Sequence, residues 1–193
     1  MINFKKVLTS NLRNIRNIKR YSSSSVHHSE NVAEHSYWVS YYSLLIAEDL
    51  LSKGVTLDFR LLLSKAILHD LPEGLTGDII HTFKHHNAEM KAITNKTEEI
   101  LYKETLEKEF PKQIATDLFE LTLSSKEGFE GEIIALSDVI CVFAYAYDEF
   151  QMGNKTILKT IKETKKKLEK TTFSKELMPY KKQILAFITQ LKE

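Results

Sequence analysis

A single cysteine, Cys141, stands in the 193-residue chain, so no internal disulfide forms and nothing in the sequence asks for an oxidising compartment. The cytoplasm is the expected location. Glycine and proline are also scarce, at six and three residues. Because these residues punctuate turns and hairpins, their scarcity argues for long helices over many short strands, and an all-α fold is expected. Charge of one sign is missing too, since 27 Lys and Arg oppose 26 Asp and Glu for a net charge of +1. No global field draws the molecule to nucleic acid or to an anionic membrane, and neither is an expected partner. Any recognition of phosphate must be local. No apolar run approaches the ~18 residues of a membrane span, and the start, Met1-Ile2-Asn3-Phe4-Lys5-Lys6, lacks the ~7 to 15-residue apolar stretch of a signal peptide. The chain therefore reads as neither membrane-spanning nor exported by that route.

What is present is an ordinary globular composition, 42% hydrophobic and 27% charged, with enough apolar material for a real core. The length suits a single domain over 1–193. A first helix is expected at about 3–18, followed by a polar loop at Ser22–Glu30. From Val32 to Leu51 the apolar residues keep helical spacing, with Trp38, Val39, Tyr42, Leu45 and Ile46 as one stripe and Lys53-Gly54 as the stop. Asp58 suits the cap of a third helix carrying Phe59, Leu62, Leu63 and Ala66 and running to His69-Asp70, and 72–86 reads as mostly loop. Helical patterns return at about 88–109, up to about 123, from Gly131 to Gly153, and in two amphipathic surface helices at about 155–170 and 175–192.

His35 extends the stripe of the second helix, because Trp38, Val39, Tyr42 and Ile46 follow it at +3, +4, +7 and +11. Alone, an inward histidine is more often a hydrogen-bonded core residue than a ligand. Asp138 holds the same kind of position, with Ile134, Cys141, Val142 and Tyr145 at −4, +3, +4 and +7. A carboxylate is almost never fully buried unless paired or bound to metal, so an ion pair and a metal site both remain open. His69 and Asp70 end a helix whose last turn, Ala66-Ile67-Leu68, is apolar, and Glu73 follows three and four residues on. For this segment alone, capping by Asp70 and interaction of His69 with the helix dipole would be sufficient reasons. Two imidazoles and two carboxylates, each on the apolar side of its helix, are together the donor set of a borderline divalent ion such as Mn, Co, Ni, Fe or Zn. One ion accounts for all four at once, where separate contacts need four coincidences. With no cysteine in the set, a site open to water fits better than a closed structural zinc site.

The series His35, His69-Asp70, Asp138 resembles the H…HD…D signature of the all-helical HD-domain metal-dependent phosphohydrolases. More closely, Arg20, Glu34-His35-Ser36, His69-Asp70, Glu73, Thr76-Gly77-Asp78 and Asp138 are similar to the pattern of the bacterial HD-domain 5′-deoxynucleotidases, over roughly residues 5–150. The resemblance implies that His35, His69, Asp70 and Asp138 ligate one divalent transition ion, that Arg20 anchors the substrate phosphate, and that Glu73 and Asp78 are the acid/base or water-orienting carboxylates. It implies a nucleotide substrate and a homodimer, for which the aromatics Tyr41-Tyr42 and Tyr145, Tyr147, Phe150 offer interface material. The chemistry asks for such parts, since a phosphate monoester needs its oxygens neutralised, a water acidified and a group at the in-line positions. Arg20 suits the first task through its fork of donors, although it stands in a basic stretch with Arg13, Arg16 and Lys19, whose members are usually solvated.

Two departures stand out. The family carries a Trp after the Arg and a Pro-containing stretch after the T-G-D, where this chain has Tyr21 and Ile79-Ile80-His81-Thr82-Phe83-Lys84. Tyr21 is the expected sugar contact, and selectivity between deoxy and ribo sugars stays open. His81, His85 and His86 read as surface histidines. The expected activity is removal of the 5′-phosphate from (deoxy)nucleoside monophosphates by metal-activated water. Two alternatives remain. One is triphosphate hydrolysis at the same site, with Lys84, His85, His86 and Lys19-Arg20 as extra cations. The other is a helical module stabilised by the ion without catalysis.

Overall fold

The computed structural model describes residues 1–79, 81–84 and 86–191, and of His81 and Thr82 the backbone alone. Among the described residues there is no strand, and the chain is helical as expected. The principal helix, Val32–Ser52, is started by a capping box in which the Asn31 side chain accepts from Glu34 N while Glu34 accepts from Asn31 N. We label it α2, following a short α1 at Phe4–Leu8. Then come α3 (Phe59–Leu68), the short turns α4 (Glu73–Thr76) and α5 (His81–Lys84), α6 (Ala88–Glu109), α7 (Lys112–Leu123), α8 (Gly128–Gln151), α9 (Leu158–Lys170) and α10 (Met178–Gln190). Asp58 caps α3 by accepting from Leu61 N, as expected, and Gly54 takes the positive φ of 81° that closes α2.

The packing centres on α8, which lies against α2, α3 and α9. Val39, Ile46, Ala47 and Leu50 of α2, Leu62 and Ala66 of α3, and Ile133, Ile134, Val139, Phe143 and Ala146 of α8 form the main core, joined by Ile161 and Leu168 of α9 and Ile188 of α10. Each large side chain buried there stabilises the fold by roughly 1.5–3 kcal/mol. A smaller cluster, Leu12, Tyr102, Leu106 and Ala115, packs the N-terminal segment onto α6 and α7.

Several expectations need correction. The first helix does not run from 3 to 18. It stops at Leu8, where Thr9 Oγ1 donates to Lys5 O, and resumes as a 3-10 turn at Asn11–Arg16 capped by Ser10. Small hydroxyl side chains that bond local backbone compete with helix continuation. The stretch 72–86 holds two helical turns within its loop, and the last helix begins at Met178, later than 175. The inner face of α2 is His35, Val39, Ser43, Ile46 and Leu50, whereas Trp38 and Leu45 are 43% and 48% exposed. Of the proposed interface aromatics, Tyr41 is exposed, but Tyr42, Tyr145, Tyr147 and Phe150 pack against the core. Ile80 and His85 lie outside the described residues, as do the side chains of His81 and Thr82.

Candidate metal centre

The capping box fixes the start of α2 and so places His35 one turn in, where the helix faces α8 and the side chain is fully buried. His69 closes α3, still with helical dihedral angles, and its Nδ1 lies 2.7 Å from Ala66 O. That contact assigns the ring proton to Nδ1 and leaves Nε2 as a lone pair facing inward. Asp70 follows, with Oδ2 at 3.2 Å from His69 Nε2 and 3.5 Å from His35 Nε2. Asp138, mid-way along α8, puts Oδ1 at 3.4 Å from His35 Nε2. All four expected ligands thus meet, although they come from three separate elements. His35, His69 and Asp70 offer donor atoms within 4.8 Å of one another.

The donor set fits a metal ion on two grounds. Nε2 of His35 and Nε2 of His69 are both buried without a hydrogen-bond partner, which is costly for polar atoms that have nothing to hold. Donor atoms about 2.0–2.2 Å from one ion stand roughly 3.0–3.5 Å apart, and the separations here fall in that range. Charges already present prepare the carboxylates. Burial opposes ionisation of Asp138, but Lys126 Nζ at 3.1 Å from Oδ2, the His35 contact and Lys167 at 3.8 Å hold its carboxyl well below the usual range. Asp70 is partly buried, and against that burial its carboxyl is likewise held low, by His69 and then His35. Burial lowers His35, whereas in His69 the nearby Asp70 and Asp138 outweigh burial and raise the ring.

Arg20 closes the group on one side. A short crossing of two extended segments, with Arg20 N donating to Glu30 O and Val32 N to Ile18 O beside the Lys19–Asn31 bridge, sets it next to Glu30. Its Nε lies 3.1 Å from Glu30 Oε2 and its Nη1 3.6 Å from Asp70 Oδ2. Burial works against the guanidinium charge, but Tyr21, Asp70, Asp138 and Glu30 more than offset it. The next residue, Tyr21, has φ 56°, the one non-glycine positive φ among the described residues and a strained place for a bulky side chain. Its ring stacks on Tyr145 at 4.4 Å and 7°, and its buried hydroxyl has no partner.

Glu73 opens α4, where Gly74 lets the backbone approach the N-terminal 3-10 turn. A Cβ there would meet Leu12 O at 2.7 Å. Its Oε2 is buried and unpartnered, and burial, with the charges of Asp70 and Asp78, pushes the carboxyl up to about 9. Asp78, after Gly77, is half-buried and raised by burial and by Asp70. Of the extra cations considered for a phosphate tail, Lys84 is paired with Glu98 at 2.8 Å, and Lys19 and His86 are exposed.

Three residues of the site were not singled out by the sequence. Glu30 lies at the end of a polar loop, and its inward turn depends on the crossing with Arg20. Burial raises its carboxyl to about 7 against the pull of Arg20. Lys126 reaches Asp138 from the turn before α8, and Cys141, one turn after Asp138, places Sγ 3.9 Å from Glu30 Oε1. Glu30, His35 and Cys141 form a second cluster of donor atoms, but the Arg20 guanidinium against Glu30 opposes a cation there.

Residues 8–187 match the model of the YfbR-like 5′-deoxynucleotidases. The chain belongs to that family. It is 30% identical over 150 residues to a 5′-deoxynucleotidase of Shewanella oneidensis, covering 76% of each chain. Among solved structures it is similar to an HD-domain phosphohydrolase from Listeria innocua, with 25% identity, a TM-score of 0.76, and 98% of this chain and 90% of that one covered. The cyanophage S-2L HD phosphohydrolase, solved with dA and one catalytic Zn2+, shares the fold at a TM-score of 0.61 and 18% identity over 94% of this chain and 96% of that one. The all-α HD-domain fold expected from the sequence is thereby borne out.

Proposed function

We infer that this member of the family is a metal-dependent phosphohydrolase that removes the 5′-phosphate from deoxynucleoside monophosphates. The observation that carries the reading is the convergence of two buried, unpartnered imidazole nitrogens with two carboxylates, beside a partly buried arginine. His35, His69, Asp70 and Asp138 would hold one divalent ion of the Mn, Co, Ni, Fe or Zn group. When bound, that ion supplies Lewis acidity and an acidified water.

The remaining work belongs to the chain's own residues. Arg20, pinned through Nε, turns its terminal nitrogens toward the ligand cluster, where they neutralise and orient phosphate oxygens. Glu73 keeps a proton to higher pH than a free carboxyl and hands it to the departing 5′ oxygen as the P–O bond breaks. Asp78 orients the attacking water. Tyr21 lies against the sugar, held in place by Tyr145. A homodimer and a cytoplasmic location belong to the same reading. The exposed Tyr37, Trp38, Tyr41 and Leu45 of α2 supply apolar surface for self-association, which sedimentation at rising concentration tests.

The function is tested by product analysis. Protein stripped with chelator is restored with Mn, Co, Ni, Fe, Zn or Mg separately and offered deoxy- and ribonucleoside mono-, di- and triphosphates. Nucleoside and inorganic phosphate are expected from monophosphates, and the deoxy-to-ribo ratio reads the sugar filter at Tyr21. Pyrophosphate or triphosphate release would overturn the monophosphate assignment. His69→Ala and Asp70→Ala should each lose metal and turnover together, and full activity in either would sink the ligand assignment.

A further inference from the structure

Glu30 has no role in the reaction as described, yet it is 8% exposed, in a setting where a carboxylate persists only with partners. One oxygen, Oε2, faces two residues of the centre at once, Arg20 Nε at 3.1 Å and His35 Nδ1 at 3.9 Å. The other, Oε1, is 3.9 Å from Cys141 Sγ, a weak donor. Oε2 and His35 Nδ1 are both buried and both without a hydrogen bond. An imidazole that offers a lone pair at Nε2 carries its proton at Nδ1, and a buried N–H needs an acceptor. His69 meets that need with Ala66 O, whereas His35 faces Glu30 instead.

We propose that Glu30 is a positioning residue that aligns the phosphate anchor and a metal ligand with one carboxylate. It pairs with the Nε edge of Arg20, so that the terminal nitrogens turn toward the ligand cluster, and it sets a negative charge 3.9 Å from His35 Nδ1, beyond hydrogen-bond length but on the side that favours the ring proton at Nδ1 and the lone pair at Nε2. The crossing that joins Arg20 N to Glu30 O makes the arrangement rigid, because backbone and side chain of the same two residues are tied together. A partner behind a metal-bound histidine typically changes metal affinity by about 10 to 100-fold. This inference rests on the metal and phosphate roles given above.

The test compares wild type, Glu30→Gln and Glu30→Asp by three measurements: metal affinity by competition with a chromogenic chelator, inhibition by inorganic phosphate, and kcat and KM. In Glu30→Gln, metal affinity is expected to fall about 10 to 100-fold, phosphate inhibition to weaken in parallel, and KM to rise more than kcat falls, with partial recovery of all three in Glu30→Asp. A drop in melting temperature alone, with metal and phosphate affinities unchanged, would overturn the proposal and leave Glu30 a packing residue. Equal loss of metal in Glu30→Gln and Cys141→Ser, with phosphate inhibition intact, would overturn it in favour of a metal site at Glu30, His35 and Cys141. If Glu30→Gln fails to fold, Glu30→Asp carries the same comparison, and wild-type affinities there for both probes, with the carboxylate drawn back by one methylene, would overturn the proposal. Metal and phosphate affinities are read without turnover, so failure of the nucleotidase reading is seen separately, in the wild-type product analysis.

Discussion

At the scale of single residues, His35 and His69 present the same atom to the same carboxylate but have different groups behind them, the Glu30 side chain at 3.9 Å in one case and a hydrogen-bonded backbone carbonyl in the other. A backbone carbonyl cannot be removed by substitution, so the vulnerability of the pair is concentrated on the His35 side. Glu73 stands apart as the carboxyl whose proton is most tightly held. Glu73→Gln should lower kcat by about 10² to 10⁴ with metal content and substrate binding retained, and an unchanged kcat would remove Glu73 from the mechanism. A second expectation concerns stability without metal. Burial, with Asp70 and Asp78, raises the folded-state pKa from 4.5 to about 9, so the folded form binds this proton more tightly than the unfolded form. That contribution is full below the unfolded value and is lost as pH rises through the folded one. In chelator-treated protein the melting temperature of wild type should therefore fall relative to Glu73→Gln as pH rises from 4.5 to about 9. Parallel curves for the two proteins would show that the proton is not held there.

At the scale of elements, the turn before α8 does more than connect. Gly131 lets it lie so close that a Cβ would come within 2.3 Å of Lys126 C, and this approach carries Lys126 to Asp138. Backbone cannot yield as a side chain can, so Gly131→Ala should destabilise by about 1–3 kcal/mol, read as a fall in melting temperature, and should weaken metal binding as Lys126 is displaced. Unaltered metal affinity would mean that Lys126 is dispensable. At the other end of α8, Glu149 is fully buried and accepts from His27 N, His28 N and Asn154 Nδ2, tying down the Ser-rich loop that ends at Glu30. Glu149→Ala leaves those donors unmatched, and a loss of ~2 kcal/mol, together with a raised KM, is expected from thermal melts and kinetics.

These elements also mark how far the sequence could be read. The convergence of His35, His69, Asp70 and Asp138 was legible because a helical register places His35, His69 and Asp138 on apolar faces and Asp70 directly follows His69, and Asp58 and Gly54 announced helix ends by their side chains or lack of one. Trp38 misled because it lies three residues from His35, at the margin of the inner face, and hydrophobicity alone does not say how wide a face the neighbours cover. Glu30 and Lys126 were illegible because both sit between helices, where no periodicity points a side chain anywhere. Their positions follow from the crossing at Arg20 and the close approach at Gly131, which are tertiary facts.

For the molecule as a whole, the main core is a continuous cluster of buried apolar side chains from α2, α3, α8, α9 and α10, whose packing needs no ion. The stripped protein should therefore remain folded while losing turnover. Saturating metal at about 100 times its dissociation constant should add ~2.7 kcal/mol, roughly 5 to 10 °C in melting temperature for a chain of this size. Unfolding on metal removal, followed by calorimetry, would instead mark the ion as structural. No helix among the described residues is long and apolar enough to cross a membrane. The exposed aromatic side of α2 has an optical consequence. Trp38 is the single tryptophan of the chain, with Tyr37, Tyr41 and Tyr42 at ring-centroid distances of 5.3, 5.8 and 6.0 Å. Light absorbed by those rings passes to its indole, so the fluorescence of the whole chain is dominated by one water-facing reporter. Its emission should therefore be red-shifted and open to collisional quenchers, and should turn blue when another surface covers that side of the helix.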